Sequence, residues 1–332
     1  MKFTKKILSA IVVFCMVIML MSSLAVSATE TILDIANGSI PFMESGGNKT
    51  VNMKPYTGSV TITGTHTNNF ILINNGEHNI TLDNATFPRI MLTSKAKLNL
   101  TLVGNNTIDG SESSVPGIYV PNGAQLVITE ESTGTLTAKG ASGMAGIGGM
   151  TMDISGSITI NGGTVTAIGG SGAAGIGGGT GSNGEGIVIS GGTVTSTGGS
   201  GAGAIGMGVG GTAESVSVSP KSGQKVIVKE NEADDAVLGE YSGVADITSL
   251  VSGKNTLYIT AVEAGIGGIT GDVSWSLDAD GVFTVSGEGA MEDYTSTDEV
   301  PWKDNVASIK SVIIGEGVTH VSDYGKYAIC IK

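Results

Sequence analysis

The sequence predicts an all-β protein whose main domain is a right-handed parallel β-helix, that is, a β-solenoid. A five-residue block recurs with a step of 29 residues, at Gly134–Ala138, Gly163–Ala167 and Gly192–Ser196. A Gly-Ile-Gly-Gly marker repeats with the same step at Gly146 and Gly175, and a weaker copy follows at Ala204. Apolar residues alternate with polar ones inside each copy, which indicates strands. A fixed period of this size is typical of one structural unit stacked on copies of itself.

Residues 1–28 are predicted to be a signal peptide. Lys2, Lys5 and Lys6 precede an apolar run, and small residues end at Ala28 in a cleavage-type pattern. The apolar run is short for a membrane span, and no later segment is apolar enough to anchor the chain. We therefore expect a secreted or cell-surface protein with no transmembrane anchor in this chain.

Residues 29–212 are predicted to form the parallel β-helix. Looser alternation as far as residue 125 predicts irregular rungs, and residues 134–211 give three regular ones. Rungs of a solenoid lie about 4.8 Å apart, so equivalent residues form ladders. The period predicts an interior ladder of Ile147, Ile176 and Ile205. It also predicts two outward ladders, which are Thr135, Thr164 and Thr193, and Thr137, Thr166 and Thr195.

The chain changes character after residue 212. Residues 213–264 contain less glycine and more charge, and they are predicted to be a β-rich segment that caps the stack. Gly265–Gly268 is interpreted as a linker. Residues 265–332 are predicted to hold a hairpin, with strands at 273–277 and 282–285, and an incomplete leucine-rich-repeat-like module.

Charge and cysteine content exclude several classes of function. The chain has 17 basic and 30 acidic side chains, and Arg89 is the only arginine. Removal of the signal peptide leaves 14 basic against 30 acidic side chains, a net charge near −16. Such a surface is unsuited to nucleic acid or anionic membranes. Only Cys330 remains after cleavage, so an internal disulfide is excluded.

Two stretches resemble known families. The repeated Ala-Gly-Ile-Gly-Gly and Gly-Gly-Thr-Val-Thr of residues 110–211 resemble the glycine-rich β-helix regions of large Firmicutes surface proteins and a family of secreted clostridial carbohydrate-binding β-helix proteins. Residues 273–324 resemble the module that introduces BspA-type leucine-rich repeats. The matching residues are Trp275, Leu277, Gly281, Gly287, Gly289, Ala290, Met291, Asp293, Tyr294, Pro301, Trp302, Ile309, Val312, Gly317, Val318 and Thr319.

The resemblance implies an exported, surface-associated bacterial protein with adhesive or glycan-binding roles and no catalytic activity. Polysaccharide or a host or cell-surface glycoprotein is the implied partner. Residues 323–330 depart from the repeat pattern of the BspA-type module. We therefore expect a truncated leucine-rich-repeat array, which sequencing of the DNA beyond the stop codon would test.

The sequence contains few candidate site residues. Tyr119 is the one candidate ligand-binding residue, because its outward position between Ile118 and Val120 suits stacking on a sugar ring. No catalytic residue, metal ligand or cofactor is assigned, and Ca²⁺ stays open without a site, because the Asp278–Gly281 turn lacks the later bidentate acid of a calcium loop. An ordinary packing role is preferred for Trp275 and Trp302.

Four functions remain open. The first is adhesion or carbohydrate binding on a flat strand face, and the second is a purely structural stalk for downstream repeats. The third is a cation-dependent polysaccharide lyase, for which the available side chains would be Arg89, Lys95, Lys97, Asp83 and Asp109. The fourth is ice binding by the threonine ladders. Shape alone does not decide among them.

Overall fold

The computed structural model describes residues 31–34, 42–45, 48–53, 59–65, 70–183, 186–212, 215–234, 236–278 and 280–323. The signal peptide predicted at residues 1–28 and Cys330 lie outside these ranges. The protein is mostly β, with a large, nearly closed and mostly parallel sheet that is compatible with the predicted all-β solenoid.

The stack of parallel rungs has three faces. Face 1 and face 2 belong to one sheet that turns a corner at β6 (Gly76–Phe87), because the first part of β6 pairs with β8 (Ala96–Val103) and its end pairs with β9 (Asn105–Asp109). Face 1 comprises β1 (Thr31–Asp34), β4 (Ser59–Thr65), β6 (Gly76–Phe87), β8 (Ala96–Val103), β11 (Gln125–Ile128), β14 (Ser157–Ile160), β17 (Ile187–Ile189) and β20 (Val216–Val218). Face 2 comprises the ends of β4 and β6, then β9 (Asn105–Asp109), β12 (Thr135–Lys139), β15 (Thr164–Ile168) and β18 (Thr193–Thr197).

Face 3 is a separate sheet. It comprises β2 (Phe42–Ser45), β3 (Asn48–Met53), β5 (Phe70–Ile73), β7 (Ile90–Leu92), β10 (Ile118–Tyr119), β13 (Ile147–Gly148), β16 (Ile176–Gly177) and β19 (Ile205–Gly206). All neighbours on this face are parallel except β2, which is antiparallel to β3.

The interior isoleucine ladder is confirmed. Ile147 pairs with Ile176 and Ile176 with Ile205, and all three side chains are buried. The ladder extends towards the N terminus through Ile118, Ile90 and Ile71, as the rung register continues. Six isoleucines therefore form one interior column, although the earlier rungs lack the strict 29-residue step.

Glycine allows the rungs of face 3 to approach closely. Gly148 and Gly177 both have positive φ, and a Cβ added to Gly148 would lie 2.0 Å from the carbonyl oxygen of Gly177. The Gly-Ile-Gly-Gly marker thus places one isoleucine side chain in the core, followed by a glycine position at which no larger residue fits.

Residues 215–263 close two faces of the stack, and they share its hydrophobic core. They contain β21 (Gln224–Lys229), β22 (Gly239–Tyr241), β23 (Ala245–Asp246), a short helix α1 (Thr248–Val251) and β24 (Thr256–Glu263). Strand β24 is antiparallel to β18 on face 2, and β23 is antiparallel to β20 on face 1.

Among the described strands, face 3 ends at β19 without a reversed strand, and the side chain of Asn255 covers the loop between β18 and β19. The side-chain amide of Asn255 donates to the carbonyl oxygens of Gly198, Gly199 and Ala202 at 2.9–3.2 Å. In the preceding rungs a backbone N–H fulfils this role, as where Gly199 donates to the Ala173 carbonyl oxygen.

Residues 266–320 form a unit with its own core. It contains β25 (Ile266–Thr270), β26 (Val273–Leu277), β27 (Val282–Ser286), β28 (Gly289–Ala290), β29 (Ser311–Ile314) and β30 (Val318–His320). The predicted hairpin is confirmed as the antiparallel pair β26–β27. The linker interpretation of Gly265–Gly268 is wrong from Ile266 onward, because these residues pair with β26 as an edge strand. Trp275 and Trp302 are buried, and their ring centroids lie 5.2 Å apart, which agrees with packing roles.

Candidate functional site

The most regular polar surface is formed by outward threonines of face 2, and we call it the threonine face. Strand pairing confirms both predicted ladders. The ladder of Thr137, Thr166 and Thr195 is longer than predicted, with the members Thr65, Thr86, Thr107, Thr137, Thr166 and Thr195. The other ladder contains Thr135, Thr164 and Thr193, preceded by Asn105 and followed by Thr260.

The threonine face is regular because its strands alternate strictly. In β15, Val165 and Ala167 are buried in the core, while Thr164 and Thr166 point outward. The same pattern in β12 and β18 sets outward threonines about 6.6 Å apart along a strand and about 4.8 Å apart between rungs. Threonine suits this position because its branched side chain is restricted on an extended backbone. The result is a rigid array of hydroxyl and methyl groups.

One buried asparagine fixes the corner that leads into this face. The side-chain oxygen of Asn106 accepts the Ala85 N–H at 2.9 Å, and its amide donates to the carbonyl oxygens of Val103 and Thr135. Its polar atoms are therefore satisfied although the side chain is 1% exposed. The turn from face 1 to face 2 is held in register by this side chain.

An aromatic residue borders the array at the capping end. Tyr258 of β24 pairs with Thr195, and its side chain is half-buried. Leu257 and Ile259 on either side of it are fully buried, so Tyr258 points to the same side as the threonines. An aromatic ring beside hydroxyl groups suits contact with a sugar, whose faces are apolar and whose rim is polar. Sequence reasoning missed Tyr258, although its alternation with Leu257 and Ile259 was a usable signal.

Charges lie at the border of the threonine face. The two threonine ladders contain no charged residue. Lys139 and Asp109 form an ion pair of 3.2 Å at one edge, and Lys225 pairs with Glu240 at 2.9 Å beyond β24. The array therefore presents a neutral surface in a strongly acidic chain.

Tyr119, the candidate from the sequence, lies on face 3 and away from the threonine face. Its side chain is half-buried, and its hydroxyl donates a hydrogen bond to the carboxylate of Asp153 in the loop of the next rung. Burial, together with this carboxylate, raises the pKa of the Tyr119 hydroxyl well above its ordinary value. The ring is thus less exposed than alternation suggests, because the neighbouring loop reaches it. Its role as a ligand contact stays a prediction.

The side chains considered for a lyase lie apart. The Arg89 guanidinium lies over the Phe70 ring on face 3, at 4.1 Å from the ring centroid. Lys97 pairs with Glu77 at 2.7 Å on face 1, whereas Asp109 pairs with Lys139 on face 2. The three faces point in different directions, so these groups do not share one site.

Within the described ranges, no group of three or more histidine, cysteine or acidic side chains could hold a metal ion. The Asp278 carboxylate accepts the Val282 N–H at 2.8 Å, which stabilises the β26–β27 hairpin turn. The Asp109 carboxylate accepts hydrogen bonds from the N–H and the hydroxyl of Ser111, and the Asp153 carboxylate accepts one from the Tyr119 hydroxyl.

Comparison with protein-family models, curated proteins and solved structures finds no match for this chain. None of the helices in the described part is long and apolar enough to cross a membrane.

Proposed function

We propose that this chain is an exported, non-enzymatic surface protein whose threonine face binds carbohydrate. The observation that carries the proposal is the in-register pairing of outward threonines from β12 to β18, bordered by Tyr258. Hydroxyl groups on fixed backbone lose little conformational entropy on binding, so even individually weak hydrogen bonds favour an extended ligand. Many equivalent contacts along a ladder suit a polymer of repeated sugar units.

The location outside the cell and the absence of catalysis remain part of the proposal. Residues 1–28 support export, through their basic start and apolar run. The location of Arg89, Lys97 and Asp109 on three different faces supports binding without bond cleavage. A polysaccharide or a cell-surface glycoprotein is the proposed partner.

Two finer structural proposals accompany this function. We propose a right-handed winding for the stack, because parallel crossover connections adopt that hand almost without exception. We also propose that the C-terminal unit starts a leucine-rich-repeat-like coil. In support, β27 pairs in parallel with β29 and β28 with β30, and exposed Ile313 and Ile314 lie on the outer strand β29.

The experiment is a polysaccharide pull-down and a glycan array with residues 29–332. Thr166→Glu places a charge in the centre of the threonine face and is expected to abolish binding. Thr159→Glu is the matched control, because Thr159 is also half-buried and outward but lies on face 1 of the same rung. Tyr258→Ala is expected to weaken binding, whereas Tyr119→Ala weakens it only if the ligand contacts face 3. Blank results for the unmodified chain in both assays would contradict the proposal.

The six-member threonine column also favours a second candidate, the ordering of water at an ice surface. A rigid lattice of hydroxyl and methyl groups suits a crystalline surface as well as a sugar polymer. Thermal hysteresis of the unmodified chain, lost in Thr166→Glu, would support this candidate over carbohydrate. A structural stalk predicts neither ligand nor hysteresis.

A further inference from the structure

The loops that follow face 3 form a ridge along the stack. Three successive copies, residues 150–154, 179–183 and 208–212, are related by the 29-residue step, and we call them the loop ridge. They are joined by backbone hydrogen bonds from Met152 to Thr180 at 2.8 Å and from Gly181 to Val209 at 2.7 Å. The loop ridge is therefore as regular as the strands.

One residue breaks the pattern of the ridge. Met152 has φ of 60°, the left-handed conformation, and its equivalents in the next two rungs are Gly181 and Gly210 with φ of 75° and 80°. A methionine in this conformation is strained, whereas glycine is not. Its side chain is also 84% exposed, the most exposed large apolar side chain in the described residues. A strained and exposed methionine is an observation that calls for a functional explanation.

Neighbouring groups hold Met152 in this position. The adjacent Asp153 accepts the hydrogen bond of Tyr119, and the Thr151 hydroxyl donates to the Gly143 carbonyl oxygen at 3.1 Å. On the other side, Gly181 leaves room, since a Cβ there would lie 3.5 Å from the Met152 Cγ. Ile154, at 40% exposure, follows in the same loop. Met152 and Ile154 thus form a fixed apolar projection on this loop, which we call the knob.

A cleft lies at the other end of the same ridge. It has a volume of about 380 Å³ and is lined by Ala202, Met207 and Val209, and otherwise mostly by glycine. The cleft exists because no further rung covers these loops. In earlier rungs the Gly143 and Gly172 carbonyl oxygens accept N–H groups of Thr180 and Val209. The equivalent Gly201 carbonyl oxygen has no hydrogen-bond donor among the described residues. Val209 is 42% exposed beside it.

We propose that the loop ridge is a dimer interface between two copies of this chain, in which Met152 of each copy enters the cleft of the other. The knob and the cleft are about two rungs apart on one ridge, roughly 10 Å at the strand spacing. Two ridges that run in opposite directions about a two-fold axis therefore match knob to cleft twice.

Charge favours a second copy as the occupant. Residues 140–212 contain two charged side chains, Asp153 and Glu185, in a chain of net charge −13. Two identical acidic molecules repel each other least where their surfaces carry little like charge. Asp153 itself is engaged with Tyr119. No other region of this length in the sequence has fewer charged residues, and this one contains both the knob and the cleft.

The first test is sedimentation velocity of residues 29–332 over micromolar to millimolar concentration, with an expected monomer–dimer equilibrium. Met152→Gly restores the residue type of the ridge and is expected to weaken association at least about tenfold, as loss of a buried methionine side chain implies. At a concentration where the unmodified chain is monomeric, the thermal midpoint of Met152→Gly stays equal or rises, because the strain disappears, so misfolding does not explain a monomer. Val244→Gly is the control, since Val244 is 80% exposed elsewhere.

The second test concerns the geometry. In a Cys330→Ser background, Met152→Cys combined with Val209→Cys is expected to give a disulfide-linked dimer on oxidation, whereas either cysteine substitution alone gives none. A chain that stays monomeric at every concentration would overturn the proposal. A dimer that withstands both Met152→Gly and Val209→Asp would do so as well, and equal cross-linking by single and double variants would refute the knob-in-cleft pairing.

Discussion

Two glycines at the same position of successive rungs allow the cost of rung stacking to be isolated. Gly177 and Gly206 have φ of 126° and 102°, so alanine is strained at either position. A Cβ on Gly177 would lie 2.1 Å from the Gly206 carbonyl oxygen, whereas a Cβ on Gly206 has its nearest neighbour, Val216 Cγ2, at 3.7 Å. The two substitutions therefore differ by one backbone clash.

The magnitudes follow from these two terms. Backbone strain costs about 1–3 kcal/mol at each position, and forcing an extra carbon into packed structure adds about 1–3 kcal/mol. We expect Gly177→Ala to lower the free energy of unfolding by about 2–6 kcal/mol and Gly206→Ala by about 1–3 kcal/mol. The first value is a large part of the total stability of a typical domain.

The assay is urea denaturation followed by circular dichroism. Both tryptophans lie in the separate C-terminal core, so their fluorescence in the same samples reports on a unit that the substitutions do not touch. Equal destabilisation by Gly177→Ala and Gly206→Ala would refute the reasoning, since the clash would then cost nothing. A shift of the fluorescence transition would show that the effect is not confined to the stack.

Two further predictions concern the core and the acid stability. Ile176→Ala removes a fully buried side chain from the isoleucine column and is expected to lower the free energy of unfolding by about 2–5 kcal/mol. Ile168→Ala, at an outward position of the same rung, is the control and is expected to lower it by at most about 1 kcal/mol. Urea denaturation measures both values, and equal values would contradict the interior column. Hydrogen bonds from the Thr295 N–H and hydroxyl lower the pKa of Glu299 from 4.5, so the stability it contributes is present above that pH and is lost as the pH falls through the lowered pKa. Glu299→Gln is expected to reduce this loss of stability at acid pH, which tryptophan fluorescence of the C-terminal unit would follow. An unchanged dependence of stability on pH would show that the hydrogen bonds to Glu299 are not made in solution.

Much of the stack could be predicted from the sequence, because its regular rungs repeat the same pattern of buried and outward residues. The positions of Ile147, Ile176 and Ile205 follow from the 29-residue step alone, and so do the threonine ladders. The earlier rungs were harder to align. Ile90 and Ile118 are 28 residues apart, and Ile71 and Ile90 only 19, since turns of different length connect their strands. Register there depends on three-dimensional pairing, which local pattern does not encode.

The closing segment shows the same limit. The sequence predicts strands in residues 213–264, but not that β24 inserts between β18 and β21 with opposite direction. That choice of partner depends on which edge is free, and only the folded stack supplies such an edge. Tyr258 was missed for this reason, because its neighbours on the threonine face are distant in sequence. Tyr119 was identified from its strand alone, and the loop that supplies Asp153 was not anticipated.

The reversed direction of β24 has a consequence for how these molecules behave in bulk. A parallel stack that ends on a bare rung is a template on which another coil can grow, and identical copies would then join end to end into fibres. On face 2 that growth meets a strand of the wrong polarity, and on face 1 it meets β23, also reversed. These two reversed strands therefore oppose end-to-end growth at this end of the stack.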